Sequence, residues 1–189
     1  DFIQGDILDL ESIDRKFDII ESVGVLHHMD NPFKGWKILT SCLNNDSLML
    51  IGLYSEKARQ HIKEIKNKIN KIKLQSNYKN IIKFRKDLIE NNDSHLNYIK
   101  SSPDFYTVSG VRDLLFHVQE HRFTISKIKE YLDKLGLIFL GFEDQLVKEK
   151  FREIYSNKID LYNLDKWEEY EKNNPRTFAG MYQFWCKKI

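Results

Sequence analysis

Apolar residues form several short runs along the chain, separated by polar segments with helical spacing. The runs at Phe2–Gln4, Phe17–Val23 and Leu48–Tyr54 are each followed by a glycine or a polar residue. Short, nearly continuous apolar runs are typical of strands that are covered on both faces, as in parallel sheets. Between the last two runs, Pro32–Leu43 has the apolar spacing of a helix. Residues 17–54 therefore predict a strand–helix–strand crossover.

The middle of the chain has a different pattern. Glu56–Leu74 and Tyr78–Ile89 each carry a narrow apolar stripe on an otherwise polar sequence, which predicts two amphipathic helices. Val111–His121 is predicted to form a third helix. These helices interrupt the alternation of strands and helices, so residues 55–123 are interpreted as a helical cap inserted into a sheet domain.

The alternation returns in the last third of the chain. Thr124 is a predicted N-cap, and Gly136 the predicted end, of a helix over Ile125–Leu135. The remaining predicted elements are a buried strand at Leu137–Phe142, helices at Val147–Tyr155 and Leu164–Glu171, and a final strand at Phe178–Cys186. The pattern as a whole predicts an α/β fold built on a layered sheet.

The composition excludes several classes of protein. The chain has 189 residues, of which 41% are hydrophobic and 13% aromatic, too apolar for a disordered chain. The longest apolar run, Leu48–Tyr54, is far shorter than the roughly 20 residues of a membrane helix. Only two cysteines are present, Cys42 and Cys186, which excludes a disulfide framework and favours a cytoplasmic protein.

Charge is unevenly distributed. The net charge is +2, but residues 57–86 contain eleven Lys or Arg and one acidic residue, so that the rest of the chain is acidic. Such a basic block indicates an anionic partner, and weak contact with RNA through the basic helices is one hypothesis. A solvated helix face is the alternative interpretation.

Two strand ends carry residues suited to ligand binding. His27 and His28 follow the strand Phe17–Val23 and the turn at Gly24, and Asp6 and Ile7 follow the first apolar run. In open parallel sheets, ligands bind outside the carboxyl ends of the strands. These four residues are therefore predicted to lie near one cleft.

The same segments resemble a known family. The patterns FxxGD from Phe2, FDIIxSxGVLHHMDNP from Phe17 and LxLIGLYS from Leu48 resemble class I S-adenosylmethionine-dependent methyltransferases. The sequence is also similar to methyltransferase domains that are sometimes joined to tetratricopeptide repeats, which implies an N-terminal repeat domain in the parent protein. It assigns residues 1–54 to the third to fifth strands of a Rossmann-like sheet that is mostly parallel. Residues 124–189 then supply the rest of the core, with an antiparallel pair of strands at the sheet edge.

The resemblance also implies a cofactor and an activity. S-adenosylmethionine would be the cofactor, and a methyl group would pass to an acceptor, a small molecule or a macromolecule, that the sequence does not identify. Asp6 would accept the adenine amino group, Ile7 would pack on the adenine, and the main chain near Glu21 and Ser22 would approach the methionine part. His27 and His28 would lie beside the transfer centre, where a histidine is a suitable general base.

Two features of the family are missing from the sequence. No pair of glycines forms a GxG turn, and no acidic residue ends a preceding second strand. Because the chain begins at Asp1, both are expected upstream, so that this chain would hold part of the cofactor site. A non-catalytic binding fragment is therefore an alternative function.

A second cluster of chemically versatile residues lies at the end of the predicted cap. His117, Glu120 and His121 form an HxxEH pattern, which on a helix is typical of a zinc hydrolase. In the methyltransferase interpretation, His117 and His121 would instead line the acceptor pocket as catalytic residues, and no metal is implied. Three further candidates for binding the acceptor are Tyr54, Arg59 and Arg122, the last through a carboxylate or phosphate on the acceptor.

Overall fold

A mixed four-stranded sheet forms the centre of the first of two structural units. The computed structural model describes residues 2–91 and 98–189. The first unit contains the residues up to Ala58 together with Gln119–Ile189, and the second contains Arg59–Val118. The sequence analysis predicts a methyltransferase core in residues 1–54 and 124–189 and a cap in residues 55–123. That assignment of roles stays a prediction.

The sheet contains one parallel and two antiparallel strand pairs. Its order is β1-β2-β4-β3, with β1 and β2 parallel and β4 antiparallel to both of its neighbours. The strands are β1 (Phe17–Val23), β2 (Leu43–Leu53), β3 (Leu137–Phe142) and β4 (Tyr182–Lys188). The antiparallel pair of β3 and β4 is confirmed. The prediction of a mostly parallel sheet is wrong, because β4 lies between β2 and β3 and runs against both.

Seven α-helices have both of their ends within the described residues. In the first unit they are α1 (Pro32–Ser41), α5 (Ile125–Leu135), α6 (Gln145–Ile154) and α7 (Leu164–Asn173). In the second unit they are α2 (Gln60–Lys71), α3 (Tyr78–Glu90) and α4 (Val108–Phe116). None of the helices among residues 2–91 and 98–189 has the length and apolar character needed to cross a membrane.

Local capping explains where several helices begin and end. The Thr124 side chain accepts a hydrogen bond from the Lys127 N–H at the start of α5, as the sequence predicts. Gly136 ends α5 with φ of 65°, a left-handed conformation that suits glycine. Asn31 caps α1 in the same way as Thr124, through the Lys34 N–H.

One face of the sheet forms the core of the first unit. Met49 of β2 is paired with Cys186 of β4, and Ile51 with Phe184, and all four residues are fully buried. The same core includes Trp36 of α1, Ile128 of α5, Phe151 of α6 and Trp167 of α7. The helices of this unit therefore bury the Met49 side of the sheet.

The other face is open along β1. Phe17, Ile19 and Val23 of β1 are 37%, 57% and 38% exposed, although the sequence pattern predicts a strand covered on both faces. The prediction is wrong because, within residues 2–91 and 98–189, β1 is an edge strand and no helix packs on its outer face. The apolar run therefore reflects one buried face and one exposed apolar face.

An open apolar face is expected to bind hydrophobic dyes. We expect Ile19→Lys to lower fluorescence of a bound anilinonaphthalene dye while changing the free energy of unfolding by less than about 0.5 kcal/mol. The matched variant Ile20→Lys changes the next residue, which packs against the core, and should cost about 2 kcal/mol. Equal effects of the two variants in urea unfolding would contradict this assignment of faces.

One predicted strand is absent, and one predicted helix has different bounds. Phe2–Gln4 is not a strand: Phe2 and Ile3 are fully or almost fully exposed, and no strand pairs with them. Three apolar or amide residues cannot form a stable strand without a neighbour to complete the hydrogen bonds. The predicted helix Val111–His121 begins at Val108 and ends at Phe116, and residues 117–121 are extended or irregular.

The second unit has its own apolar core. Ile62, Ile65 and Ile69 of α2 are buried, as the stripe predicts, and pack with Ile81 of α3. Other residues of this core are Leu88, Ile99, Phe105, Val111, Leu114 and Leu115. The lysines of α2 and α3 occupy the remaining faces of these helices.

Candidate functional site

The candidate site lies where β1 and β2 end. Gly24 follows β1 with φ of 79°, and its N–H donates to the Gly52 carbonyl of β2 at 3.3 Å. A short 3-10 helix, Leu26–His28, continues the chain, while Tyr54 and Ser55 follow β2. Because β1 and β2 are parallel neighbours, both segments leave the sheet at the same edge.

Three aromatic rings meet at this edge. The His27 ring stacks on the Tyr54 ring, with centroids 3.9 Å apart and an interplanar angle of 29°. The His28 ring lies edge-on to both, 4.4 Å from His27 and 5.9 Å from Tyr54. His27 is fully buried, whereas His28 is only partly buried. The predicted residues His27, His28 and Tyr54 are therefore brought together.

A third segment, residues 119–123, connects the two strand ends. The His121 N–H donates to the His27 carbonyl at 2.7 Å, and the Phe123 N–H donates to the Tyr54 carbonyl at 2.8 Å. The Glu56 N–H in turn donates to the Phe123 carbonyl at 2.8 Å. These bonds require an extended backbone, which explains why the predicted helix does not reach His121.

Gln119 is a site residue that the sequence reasoning missed. Its carbonyl oxygen lies 3.0 Å from His28 Nδ1, and its side-chain amide donates to the Met29 carbonyl at 3.1 Å. The same amide nitrogen lies 3.4 Å from His121 Nε2. A glutamine on a predicted helix gives no signal of such a role, because the contacts depend on the extended conformation.

Arg122 lies between two carboxylates. Its Nε is 2.8 Å from Glu56 Oε2, and its terminal nitrogen is 3.6 Å from Glu120 Oε1. The Glu120 side chain is 2% exposed and that of Arg122 18%. The guanidinium therefore holds residues 119–123 against the end of β2 through a charge-assisted hydrogen bond to Glu56, and it forms an ion pair with Glu120.

A buried carboxylate forms hydrogen bonds to the segment that follows β2. Glu171 of α7 is fully buried, and its Oε1 accepts hydrogen bonds from Ser55 Oγ at 2.7 Å and the Tyr182 hydroxyl at 2.6 Å. Lys57 Nζ lies 3.5 Å from the other oxygen, Oε2. Burial together with the Glu171 charge raises the pKa of Tyr182, so this hydroxyl remains a donor.

The residues that the resemblance assigns to the cofactor do not contribute to the contacts just described. Asp6 caps a 3-10 helix over Ile7–Ser12 by accepting a hydrogen bond from the Leu8 N–H, and Ile7 packs against the core. Glu21 is exposed, while Ser22 is buried and faces the opposite side of β1. Their role as cofactor ligands stays a prediction.

The zinc interpretation is not supported by the structure. His117 follows the last residue of α4 in an extended conformation, so His117 and His121 do not share a helix face as the HxxEH pattern requires. Among the described residues, no group of three or more His, Cys, Asp or Glu is arranged to hold a metal ion. His117 and the buried Arg59 belong to the second unit.

Comparison with solved structures identifies a shared fold. The structure of PKMT2 from Rickettsia typhi in complex with AdoHcy matches 97% of this chain and 38% of PKMT2, with a TM-score of 0.64 and 16% sequence identity. A second structure of PKMT2 matches with a TM-score of 0.66, again at 16% identity. The chain therefore has the fold of about two fifths of PKMT2.

Comparison by sequence finds another similar protein. An uncharacterized protein of Synechococcus sp., syc1184_c, is 24% identical over 179 residues, which are 89% of this chain and 43% of that protein. No protein-family model matches the sequence. The chain thus spans less than half of the length of the proteins that it resembles, and at these identities the likeness establishes the fold.

Proposed function

We propose that the chain is part of an S-adenosylmethionine-dependent methyltransferase. The observation that carries the proposal is the cluster of His27, His28 and Tyr54 at the carboxyl ends of two parallel strands. The similar fold of PKMT2, one structure of which contains AdoHcy, supports it. AdoHcy is the product that S-adenosylmethionine leaves after it has given up its methyl group.

Ser22 supports a ligand at the end of β1. Its hydroxyl oxygen is buried and makes no hydrogen bond within the described residues, although buried hydroxyls are normally paired. Ser22 and the main chain at Glu21 would hold the methionine part of the cofactor, with Asp6 and Ile7 at the adenine. The cofactor supplies a methyl group already activated on a sulfonium sulfur.

The protein's own contribution is to position the acceptor. Orienting two reactants can supply about 7–11 kcal/mol of a reaction barrier, so little further chemistry is needed. Tyr54 and Arg122, both in the first unit, are the proposed contacts to the acceptor. Because Glu56 and Glu120 already contact Arg122, this guanidinium has less charge available for an anionic acceptor than the sequence suggested.

The test is formation of S-adenosylhomocysteine from S-adenosylmethionine in the presence of pooled protein, RNA or small-molecule acceptors. We expect product only with one acceptor class, and a loss of product in Tyr54→Ala, which removes a wall of the site. Leu146→Ala, at an exposed position on α6, is the control and should retain activity. Absence of product with every pool, together with unchanged spectra on adding S-adenosylhomocysteine, would reject the proposal.

The proposal extends to the parent protein. We propose that it acts in the cytoplasm, on a small-molecule or macromolecular acceptor, and that a repeat domain precedes the methyltransferase domain. The small number of cysteines supports the cytoplasmic location, and the resemblance described above supports the acceptor and the repeat domain. Locating the parent protein by cell fractionation tests the first of them.

The basic helices α2 and α3 of the second unit support weak contact with RNA as a second proposal. Lys71, Lys73 and Lys79 are exposed around the turn between α2 and α3, and the Tyr78 side chain is 62% exposed there. Lysines bind phosphates, and an exposed aromatic ring stacks on unpaired bases. This arrangement favours a single-stranded RNA over a purely solvated helix face.

We expect the chain to bind a labelled single-stranded RNA at low salt, measured by fluorescence anisotropy. Changing Lys71, Lys73 and Lys79 to Glu should reduce the slope of log affinity against log salt by about 2. The control changes the exposed residues Lys150 and Lys172 of the first unit, with Lys158, to Glu. Equal weakening by both triple variants, or no binding by the unaltered chain, would contradict the proposal.

A further inference from the structure

The outer edge of β3 is only partly covered. Within the described residues, β4 is the only strand that pairs with β3. The 3-10 helix Lys158–Tyr162 lies beside the second half of β3, where a side chain added at Gly141 would meet the Tyr162 ring at 3.9 Å. The first half, Leu137–Phe139, instead lines an open groove of about 610 Å³, called here the β3 groove. Binding sites commonly have volumes of roughly 300–1,000 Å³.

The strand pairing fixes the direction of the main-chain groups along this edge. The Ile189 N–H donates to the Gly136 carbonyl at 3.4 Å, so that carbonyl points toward β4. Ile138 is paired with β4 two residues later, and alternate residues of an antiparallel ladder point the same way. The N–H and C=O of Leu137 and the N–H of Phe139 therefore point away from β4. Among the described residues, no other main-chain group bonds to these three groups.

Apolar side chains surround the β3 groove. Ile138 of β3 and Ile159 and Tyr162 of the neighbouring 3-10 helix are exposed, and all three line the groove. Leu132 of α5, which also lines it, is buried. An exposed strand edge beside apolar side chains can pair with another extended segment, because main-chain hydrogen bonds and apolar burial are available together.

The rim of the β3 groove is acidic. Lys129 Nζ of α5 lies 2.7 Å from both carboxylate oxygens of Asp165. That hydrogen bond raises the pKa of Lys129, and the charges of Asp165, Asp133 and Glu168 add to the rise. Three carboxylates thus act on one lysine, and Asp133 is exposed one turn further along α5. The excess of negative charge favours a basic partner over an acidic one.

We propose that the β3 groove is the docking surface for an extended segment of a partner protein in which apolar residues alternate with lysine or arginine. The segment adds a short strand beside Leu137–Phe139, and its main chain pairs with the three outward-pointing groups. Its apolar side chains pack in the groove, and its basic side chains lie near Asp133 and Asp165.

This surface is distinct from the candidate site described above. Ile138 and Leu48 both pair with Lys187, so the first half of β3 lies level with Leu48 in the sheet. The candidate site lies beyond Leu53, at the other end of β2. The inference therefore does not rest on the proposed methyltransferase function.

The first test measures hydrogen bonding along the strand edge. The nitrogen-15-labelled chain is titrated with the synthetic peptide acetyl-VKVTVK-amide, and amide hydrogen exchange is followed residue by residue. We expect exchange at Leu137 and Phe139 to slow on binding, because their N–H groups become hydrogen-bonded. Ile138, whose N–H already points toward β4, is the internal control and should change little. Unchanged exchange at Leu137 and Phe139 with millimolar peptide, or slowing at β1 instead, would overturn the proposal.

The second test measures the contribution of charge. The acidic peptide acetyl-VEVTVE-amide should bind about fivefold more weakly than the basic one, and Asp133→Lys should weaken binding of the basic peptide by about the same factor. The matched control is Glu153→Lys, which makes the same charge change at an exposed position of α6 and should leave the affinity unchanged. Equal binding of the two peptides, or equal weakening in the two variants, would contradict a basic partner.

A second copy of the chain is the competing occupant of the β3 groove. We expect exchange at Leu137 and Phe139, measured without peptide, to be independent of protein concentration. Slower exchange at these two residues as the concentration rises, together with dimers in sedimentation, would assign the edge to a second copy and overturn the proposal.

Discussion

Replacing Trp167 with alanine is expected to lower the free energy of unfolding by about 3–5 kcal/mol. Trp167 is fully buried, and its ring stacks on Phe151 with centroids 3.8 Å apart. It also meets the Phe142 ring of β3 edge-on at 4.9 Å, and its Nε1 donates to the Leu161 carbonyl at 2.9 Å. Alanine would leave a cavity where α6, α7 and the sheet meet, together with an unpaired carbonyl.

The measurement is urea unfolding followed by circular dichroism, with Leu146→Ala as the control. Leu146 of α6 is 69% exposed, so its truncation should cost less than about 0.5 kcal/mol. A loss below about 1 kcal/mol in Trp167→Ala would mean that Trp167 does not pack between these elements as the structure describes.

Replacing Glu171 with alanine is expected to cost about 3 kcal/mol, although it removes no apolar group. The carboxylate accepts hydrogen bonds from two buried hydroxyls, those of Ser55 and Tyr182, and faces Lys57. Without it, the hydroxyls remain buried with no acceptor, and Lys57 loses its ion pair. Because Ser55 directly follows Tyr54, the loss should also loosen the edge that carries the candidate site.

Glu171→Gln separates these effects. Its carbonyl oxygen still accepts from Ser55 and Tyr182, so we expect a loss of about 1 kcal/mol in urea unfolding. Equal losses in the Gln and Ala variants would show that charge alone matters.

The raised pKa of Tyr182 gives a separate prediction about pH. Above about pH 10 a tyrosine in the unfolded chain ionises, whereas in the native state burial raises the pKa of Tyr182 and the hydroxyl keeps its proton. The free energy of unfolding should therefore fall as pH rises above that value.

Elements with both a capping residue and a periodic apolar pattern could be predicted from the sequence. Thr124 and Gly136 bound α5 where predicted, because the cap chemistry is local and does not depend on neighbouring strands. The strand at Leu137–Phe142 also has the predicted bounds. The order and direction of the strands could not be read in the same way, since they depend on which edges meet after folding.

The candidate site was predictable in part. The sequence order of strand, glycine turn and two histidines brought His27 and His28 to the edge with Tyr54, because parallel neighbouring strands end together. The contribution of residues 119–123 was missed because their backbone is extended by hydrogen bonds to His27 and Tyr54. Helical spacing in HVQEH is therefore overridden by contacts distant in sequence, and Gln119 acquires its role only through them.

The account's central claim is that the carboxyl ends of β1 and β2 hold the sulfur-bearing part of the cofactor. Titration of the nitrogen-15-labelled chain with S-adenosylhomocysteine, followed by backbone amide spectra, tests it most directly. The account predicts shifts concentrated at Ser22, Gly24, His28 and Tyr54. No shift at millimolar ligand, or shifts concentrated at the groove between α5 and the outer edge of β3 near Ile138 and Tyr162, would contradict it.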